Sequence, residues 1–167
     1  NGTSWVDVNE GLTRKFVTEM VFSGTNLFAA TDAGVFLSTN DGTSWTQVNN
    51  GLTLTDVASF GVSDEKVFAG TFGGGVFVTT NNGTNWTNVS LASTTDPVGA
   101  FAFSGTYVFA GTWWSSGVFL STNNGTDWTA VNNGLTSMSV SDLAVSGTIL
   151  FAGTWPGGVF LSTNSGG

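Results

Sequence analysis

The feature that most constrains this chain is a unit of about 41 residues that recurs along its length. FAATDAGVFLSTNDGTSW begins at Phe28, FAGTFGGGVFVTTNNGTNW at Phe68, FAGTWWSSGVFLSTNNGTDW at Phe109 and FAGTWPGGVFLSTNSGG at Phe151. Trp5, Trp45, Trp86 and Trp128 keep the same spacing as the phenylalanines, so two independent markers agree on the period. A period of this size belongs to solenoids and propellers, whose units cannot bury their own faces and must stack on one another.

The content of the unit decides between helices and strands. Val, Phe, Thr and Gly fill it, which favours strands and turns over the Ala, Leu, Glu and Lys of helical repeats. The first unit reads as four strands, over residues 16–22, 26–31, 34–39 and 43–48, joined by SGTN, TDAG and NDGT hairpins. VFAG and GVFL are nearly continuous apolar runs, as expected of strands covered on both faces, whereas WTQVNN is polar enough to be an outer strand. The fold expected is therefore all-β: a β-propeller of four-stranded antiparallel blades, one domain over residues 1–167.

Repeat phase adds a second expectation. The chain enters just before a fourth strand (NGTSW) and ends just after a third, so residues 3–8 are expected to pair with the strand near 158–163 and complete the last of four blades. The same phase allows that strand to be exchanged between chains, as half of an eight-bladed dimer or in a head-to-tail array. The absence of any signal-peptide pattern at residue 1 reads as a mature or excised piece.

STNDGTSW (38–45), TTNNGTNW (79–86) and STNNGTDW (121–128), with the partial STNSG (162–166) and NGTSW (1–5), resemble the BNR or Asp-box repeat of sialidase-like and sortilin-like propellers. The resemblance spans essentially the whole chain. It implies a structural hairpin between the third and fourth strands of each blade, with Trp5, Trp45, Trp86 and Trp128 packed beneath. The family's acid is here Asn40, Asn81, Asn123 and Asn164, which keeps an Asx-type hydrogen bond and removes a carboxylate that calcium would want. No metal and no cofactor are expected.

Composition narrows the function classes. Three basic residues face eleven acids, a net charge of −8, so phosphate backbones and anionic lipid are repelled and no basic patch exists for nucleic acid. No apolar run approaches a membrane span. Cysteine and histidine are absent, which removes thiolate and imidazole chemistry. The resemblance to sialidases would imply an arginine triad and a tyrosine nucleophile, but the chain has one arginine, Arg14, and one tyrosine, Tyr107. A carboxylate pair for glycoside hydrolysis would have to come from acids such as Asp32, Asp56, Asp64, Glu65 and Asp96, and the short connections build no cleft around them.

The second-to-third hairpin varies most and carries Phe72, Trp113, Trp114 and Trp155. Two readings stand side by side: a set of flat faces for stacking on sugar rings or on another protein, or side chains that fold back to fill space between blades. Five Asn-x-Ser/Thr sequons occur, of which Asn82 and Asn124, at turn tips, are the best glycosylation candidates. The sequence thus points to a non-catalytic module outside the cell or on its surface, with glycans or a protein surface as partner. The alternatives are a structural subunit of an extracellular assembly and a degenerate glycoside hydrolase.

Overall fold

The computed structural model describes residues 2, 4–89, 91 and 94–166, which form fifteen strands and no helix. The first blade comprises β1 (Val17–Ser23), β2 (Asn26–Thr31), β3 (Gly34–Ser38) and β4 (Thr46–Gln47). The second comprises β5 (Val57–Ser63), β6 (Lys66–Thr71), β7 (Val76–Thr79) and β8 (Thr87–Asn88). The third comprises β9 (Val98–Ser104), β10 (Tyr107–Thr112), β11 (Val118–Ser121) and β12 (Thr129–Ala130), and the fourth β13 (Val140–Ser146), β14 (Ile149–Thr154) and β15 (Gly158–Ser162). Each sheet is antiparallel in sequence order. The first strands β1, β5, β9 and β13 contact one another in turn and form the hub of a propeller-type arc.

Every hub strand carries a register shift at the same place, at Thr18, Ala58, Gly99 and Ser141, which bends it as it passes the axis. The bend turns polar groups toward the next blade. Thr18 donates through Oγ1 to the Val57 carbonyl at 2.8 Å, and Ser59 through Oγ to the Val98 carbonyl at 2.7 Å.

Apolar faces meet between blades. Phe28 of the first blade meets Phe60 of the second edge to face, with centroids 6.3 Å apart, and Phe68 of the second meets Phe101 and Phe103 of the third at 6.0 and 5.7 Å. Phe109 packs with Val140 and Leu143 across the third joint. Such aromatic pairs contribute about 0.5–1.5 kcal/mol each beyond the area they bury.

The outer rim is held by tryptophan. Trp86 lies in one buried cluster with Val35 of the first blade, Leu52 of the connection, and Val67, Ala69 and Phe77 of its own blade. Its indole Nε1 donates to the Val48 carbonyl at 2.8 Å, and its backbone N–H to the Asn50 carbonyl at 2.8 Å. Trp45 repeats this arrangement with the carbonyls of Val8 and Glu10, each at 2.8 Å. Because the tryptophan N–H turns to the preceding connection, the fourth strand keeps only two paired residues, shorter than the predicted 43–48.

The turn before each tryptophan shows why Ser/Thr-x-Asn-x-Gly is required. Ser38 donates through Oγ to Asn40 Oδ1 at 2.9 Å and accepts from the Gly42 N–H at 2.9 Å, while Asn40 Oδ1 also accepts from the Ser44 N–H. Thr79, Ser121 and Ser162 make the same bonds to Asn81, Asn123 and Asn164. Asp41 and Gly42 both have positive φ, 56° and 82°, with Thr43 N–H bonded to the Asn40 carbonyl, the signature of a type I′ hairpin turn.

Contrary to the sequence expectation, the N-terminal strand does not close the last blade. The fourth sheet has three strands among the described residues, residues 4–8 belong to no strand, and Trp5 is 93% exposed; Thr3 lies outside the described residues. The two faces that closure would bring together stay open. Val159 is 75% exposed where the corresponding Val35 and Val76 are fully buried, and Met20 at the opposite end is 58% exposed where Phe60 is buried. The first and fourth blades each present an open apolar face, so the four blades form an arc that the N-terminal strand does not close.

Replacing Trp86 by Ala removes a buried indole and its inter-blade bond, and should cost about 3–5 kcal/mol of unfolding free energy. Urea denaturation followed by far-ultraviolet circular dichroism measures it.

Candidate functional site

The second-to-third hairpin tips and the connections that enter the hub strands lie on one rim of the arc. Three backbone bonds fix this: the N–H groups of Phe72, Trp113 and Trp155 donate to the carbonyls of Asp56, Pro97 and Ser139, at 2.9, 3.0 and 2.9 Å. Each carbonyl precedes the hub strand of the same blade, so the tips of the second, third and fourth blades are each tied to their own hub.

On that rim the aromatic residues divide. Phe72 and Trp113 fold together across the joint between the second and third blades, with centroids 5.2 Å apart and planes at 74°. The Trp113 indole lies over Gly99, where a Cβ would stand 1.7 Å from Nε1, and only glycine admits so close an approach. Trp114 and Trp155 instead point outward, 62% and 76% exposed. Of the four aromatic candidates, then, two fill space between blades and two offer free faces. The Trp155–Pro156 peptide is cis.

Below the exposed Trp114, a buried carboxylate holds the loop. Asp96 Oδ2 accepts from the Ser115 N–H at 2.7 Å, from Ser116 Oγ at 2.8 Å and from Ser115 Oγ at 3.1 Å. Burial alone would raise its pKa, but these donors outweigh it and hold the carboxyl below the ordinary aspartate range. Ser116 Oγ also shares a hydrogen bond with Thr94 Oγ1 at 2.8 Å, which ties the entering connection to the tip. The WWSSG loop is thus a braced mount for Trp114.

Of the acids expected as catalytic candidates, three are seen to be engaged or placed elsewhere. Asp32 pairs with Arg14 at 3.5 Å on the surface, an exposed pair of little energetic weight. Asp64 sits at positive φ in an exposed turn beside Glu65, and Asp96 is engaged by serines. Two acids not singled out from the sequence are near enough for the charge of one to act on the other. Glu19 and Asp142 hold the same position in the first and fourth hub strands. Burial pushes the Glu19 pKa up; the Phe60 N–H that its carboxylate accepts lowers it, and the charge of Asp142 raises it further. Aligning the hub strands beside Ser59 and Ala100 would have picked them out.

The sequon residues Asn82 and Asn124 occupy exposed turn tips at positive φ, 54° and 56°. Asn1 lies outside the described residues. Among the described residues no cluster of three or more acids is arranged to hold a metal ion.

Asp96 and Glu19 predict opposite pH dependences. Asp96, with a lowered folded pKa, stabilises the fold above the unfolded value of about 4 and loses that contribution as pH falls through the folded value. Glu19, with a raised folded pKa, favours the fold below the unfolded value and loses that contribution as pH rises through the folded one. Thermal melts between pH 3 and pH 7 should therefore show Glu19→Gln gaining relative to wild type as pH rises, and Asp96→Asn losing.

No protein-family model and no curated protein sequence matches the chain. Solved structures do. An ancestral GH74 enzyme is 25% identical, aligned over 100% of this chain and 25% of its own, with a TM-score of 0.77. The computationally designed Ika4 protein is 20% identical over 93% of this chain and 94% of its own, with a TM-score of 0.73. The GH74 xyloglucanase from Xanthomonas campestris is 14% identical over 98% of this chain and 31% of its own, with a TM-score of 0.71. The chain therefore spans about a quarter of the first of these enzymes, and the likeness establishes an all-β, propeller-type fold.

Proposed function

We propose that the chain is a non-catalytic recognition module acting outside the cell, which binds carbohydrate through the hairpin rim. The observation that carries this reading is the pair Trp114 and Trp155, two exposed indoles on hairpin tips fixed to the same rim. Flat aromatic faces in water stack well on the apolar faces of sugar rings, and rigid mounting lowers the ordering cost of binding. Structural likeness to GH74 enzymes, one of them a xyloglucanase, makes xyloglucan the first ligand to try. The repeat turns fit the Asp-box pattern with asparagine in the acid position, and their bonds are internal to the turn, which supports a structural role for them.

Catalysis has less support. Glycoside hydrolysis needs two carboxyl groups about 5–10 Å apart facing a sugar-sized cleft. Among the rim acids, Asp96 is occupied by Ser115 and Ser116, and Asp32 by Arg14. A low-charge, Thr- and Asn-rich surface without cysteine accords with a secreted or surface protein.

Titration calorimetry with soluble xyloglucan fragments and cello-oligosaccharides tests this. The wild-type chain should bind at least one of them, and Trp114→Ala with Trp155→Ala should weaken binding about tenfold or more while moving the melting temperature by less than about 3 °C. An unchanged affinity in the double variant would move the site elsewhere. Release of reducing ends by the wild-type chain would overturn the non-catalytic reading.

A further inference from the structure

The cavity between the third and fourth blades has the lining of a tryptophan socket. It measures about 140 Å³ and is lined by Val118, Leu135, Leu150, Ala152 and Phe160. In repeat register these are the counterparts of Val35, Leu52, Val67, Ala69 and Phe77, five of the nine buried residues that share a cluster with Trp86. These five recur around a space that holds no indole. Asn133 also lines it, the counterpart of the Asn50 whose carbonyl receives the Trp86 N–H.

A second mark lies on the same edge. Asn49 closes the first blade by accepting from the Val35 N–H at 2.8 Å and donating to the Ala33 carbonyl at 2.7 Å, and Asn132 does the same for Val118 and Ser116 in the third. These amides lie over Gly34 and Gly117, 2.1 and 2.3 Å from where a Cβ would stand. At the corresponding Gly158 nothing lies within 4 Å, and Val159 is open to solvent.

The chain also carries the matching segment. Trp5, Val8 and Asn9 correspond to Trp45, Val48 and Asn49, and Trp5 is exposed. The carbonyls of Val8 and Glu10 are already bonded to Trp45 of the first blade. That does not exclude a second use: Val48 accepts from Trp86 through its carbonyl while its N–H bonds the Val35 carbonyl. The segment is built to join two blades, and one is present.

We infer that this second blade belongs to another copy of the chain. Residues 5–9 of each copy complete the fourth blade of the other, and the open face bearing Met20 and Phe22 packs on the partner's open face bearing Val159 and Leu161. The chain's own fourth blade is not the acceptor, because both faces that would have to meet are solvent-exposed. Two copies make a closed ring of eight blades, within the range of about 4–8 that propellers adopt, while three would exceed it. In this ring Trp5 Nε1 donates to the Val131 carbonyl of the other copy, and Val6 stands opposite Leu161, as Thr46 stands opposite Leu37.

The chain has no cysteine, so a designed pair reports the contact cleanly. Val6→Cys combined with Leu161→Cys should, on mild oxidation, give a covalent species of twice 17.2 kDa on non-reducing gels. Native mass spectrometry of the unmodified chain should show the same mass, and Trp5→Ala should raise the dimer dissociation constant by about 30-fold or more without changing the far-ultraviolet spectrum. A disulfide within one chain would mean a closed four-blade monomer, and a ladder of higher species an open array; either overturns the two-copy ring. So does a monomer with no cross-link and a quenchable Trp5. Should the cysteine variant fail to fold, the native mass of the wild-type chain and of Trp5→Ala still decides.

Discussion

The joint between the first and second blades depends on how a tryptophan at the end of one unit is received by the connection that precedes it, whereas the Trp128 indole bonds the Gly125 carbonyl of its own turn. A four-stranded antiparallel sheet of this composition has two apolar faces and cannot persist alone in water. Stacking solves the faces, but stacked sheets of Val, Phe and Gly could slide. The indole of Trp86, bonded through Nε1 to Val48 and through its backbone to Asn50, fixes the offset between blades with two directional bonds at the rim. At the hub, Thr18 and Ser59 do the same through their hydroxyls. The joint is pinned at both ends and filled by phenylalanine between them.

This division of labour explains where variation is tolerated. The third-to-fourth hairpin feeds the tryptophan and must keep Ser or Thr, Asn and Gly in place, since each makes a bond or adopts a positive φ that the turn needs. The second-to-third hairpins of the second, third and fourth blades share one obligation, a backbone bond to the carbonyl before the hub strand. Their side chains are not held to one pattern, and across the four blades the tips range from TDAG to TWWSSG. A rim that is fixed in backbone and free in side chain is where recognition can be built without cost to the fold.

Much of this was legible in the sequence. The spacing of Trp and Phe gave the unit, and the strands at 26–31 and 34–39 match Asn26–Thr31 and Gly34–Ser38 to within a residue, because glycine- and Asx-rich turns bracket them. The short fourth strand was not legible, since it depends on where the Trp45 N–H goes, which is a contact 35 residues away in sequence. Nor was ring closure. Repeat phase says that a strand is missing from the last blade and present at the start, but the angle between blades decides whether the two ends meet, and that angle is set by side-chain packing between blades, as at Phe28 with Phe60 and Phe68 with Phe101, which no single unit of sequence displays. The split among the rim aromatics was equally hidden: Trp113 folds inward because Gly99 makes room for it, and nothing near Trp113 in sequence announces that.

The tryptophan joint can be observed directly through its indole protons. In a nitrogen-15 labelled sample, the indole N–H groups of Trp45 and Trp86 should exchange with solvent far more slowly than those of Trp114 and Trp155, in proportion to the burial and bonding of each. Exchange at a common fast rate for all of them would contradict the account, because it would mean that the blades are held in register by something other than these tryptophans.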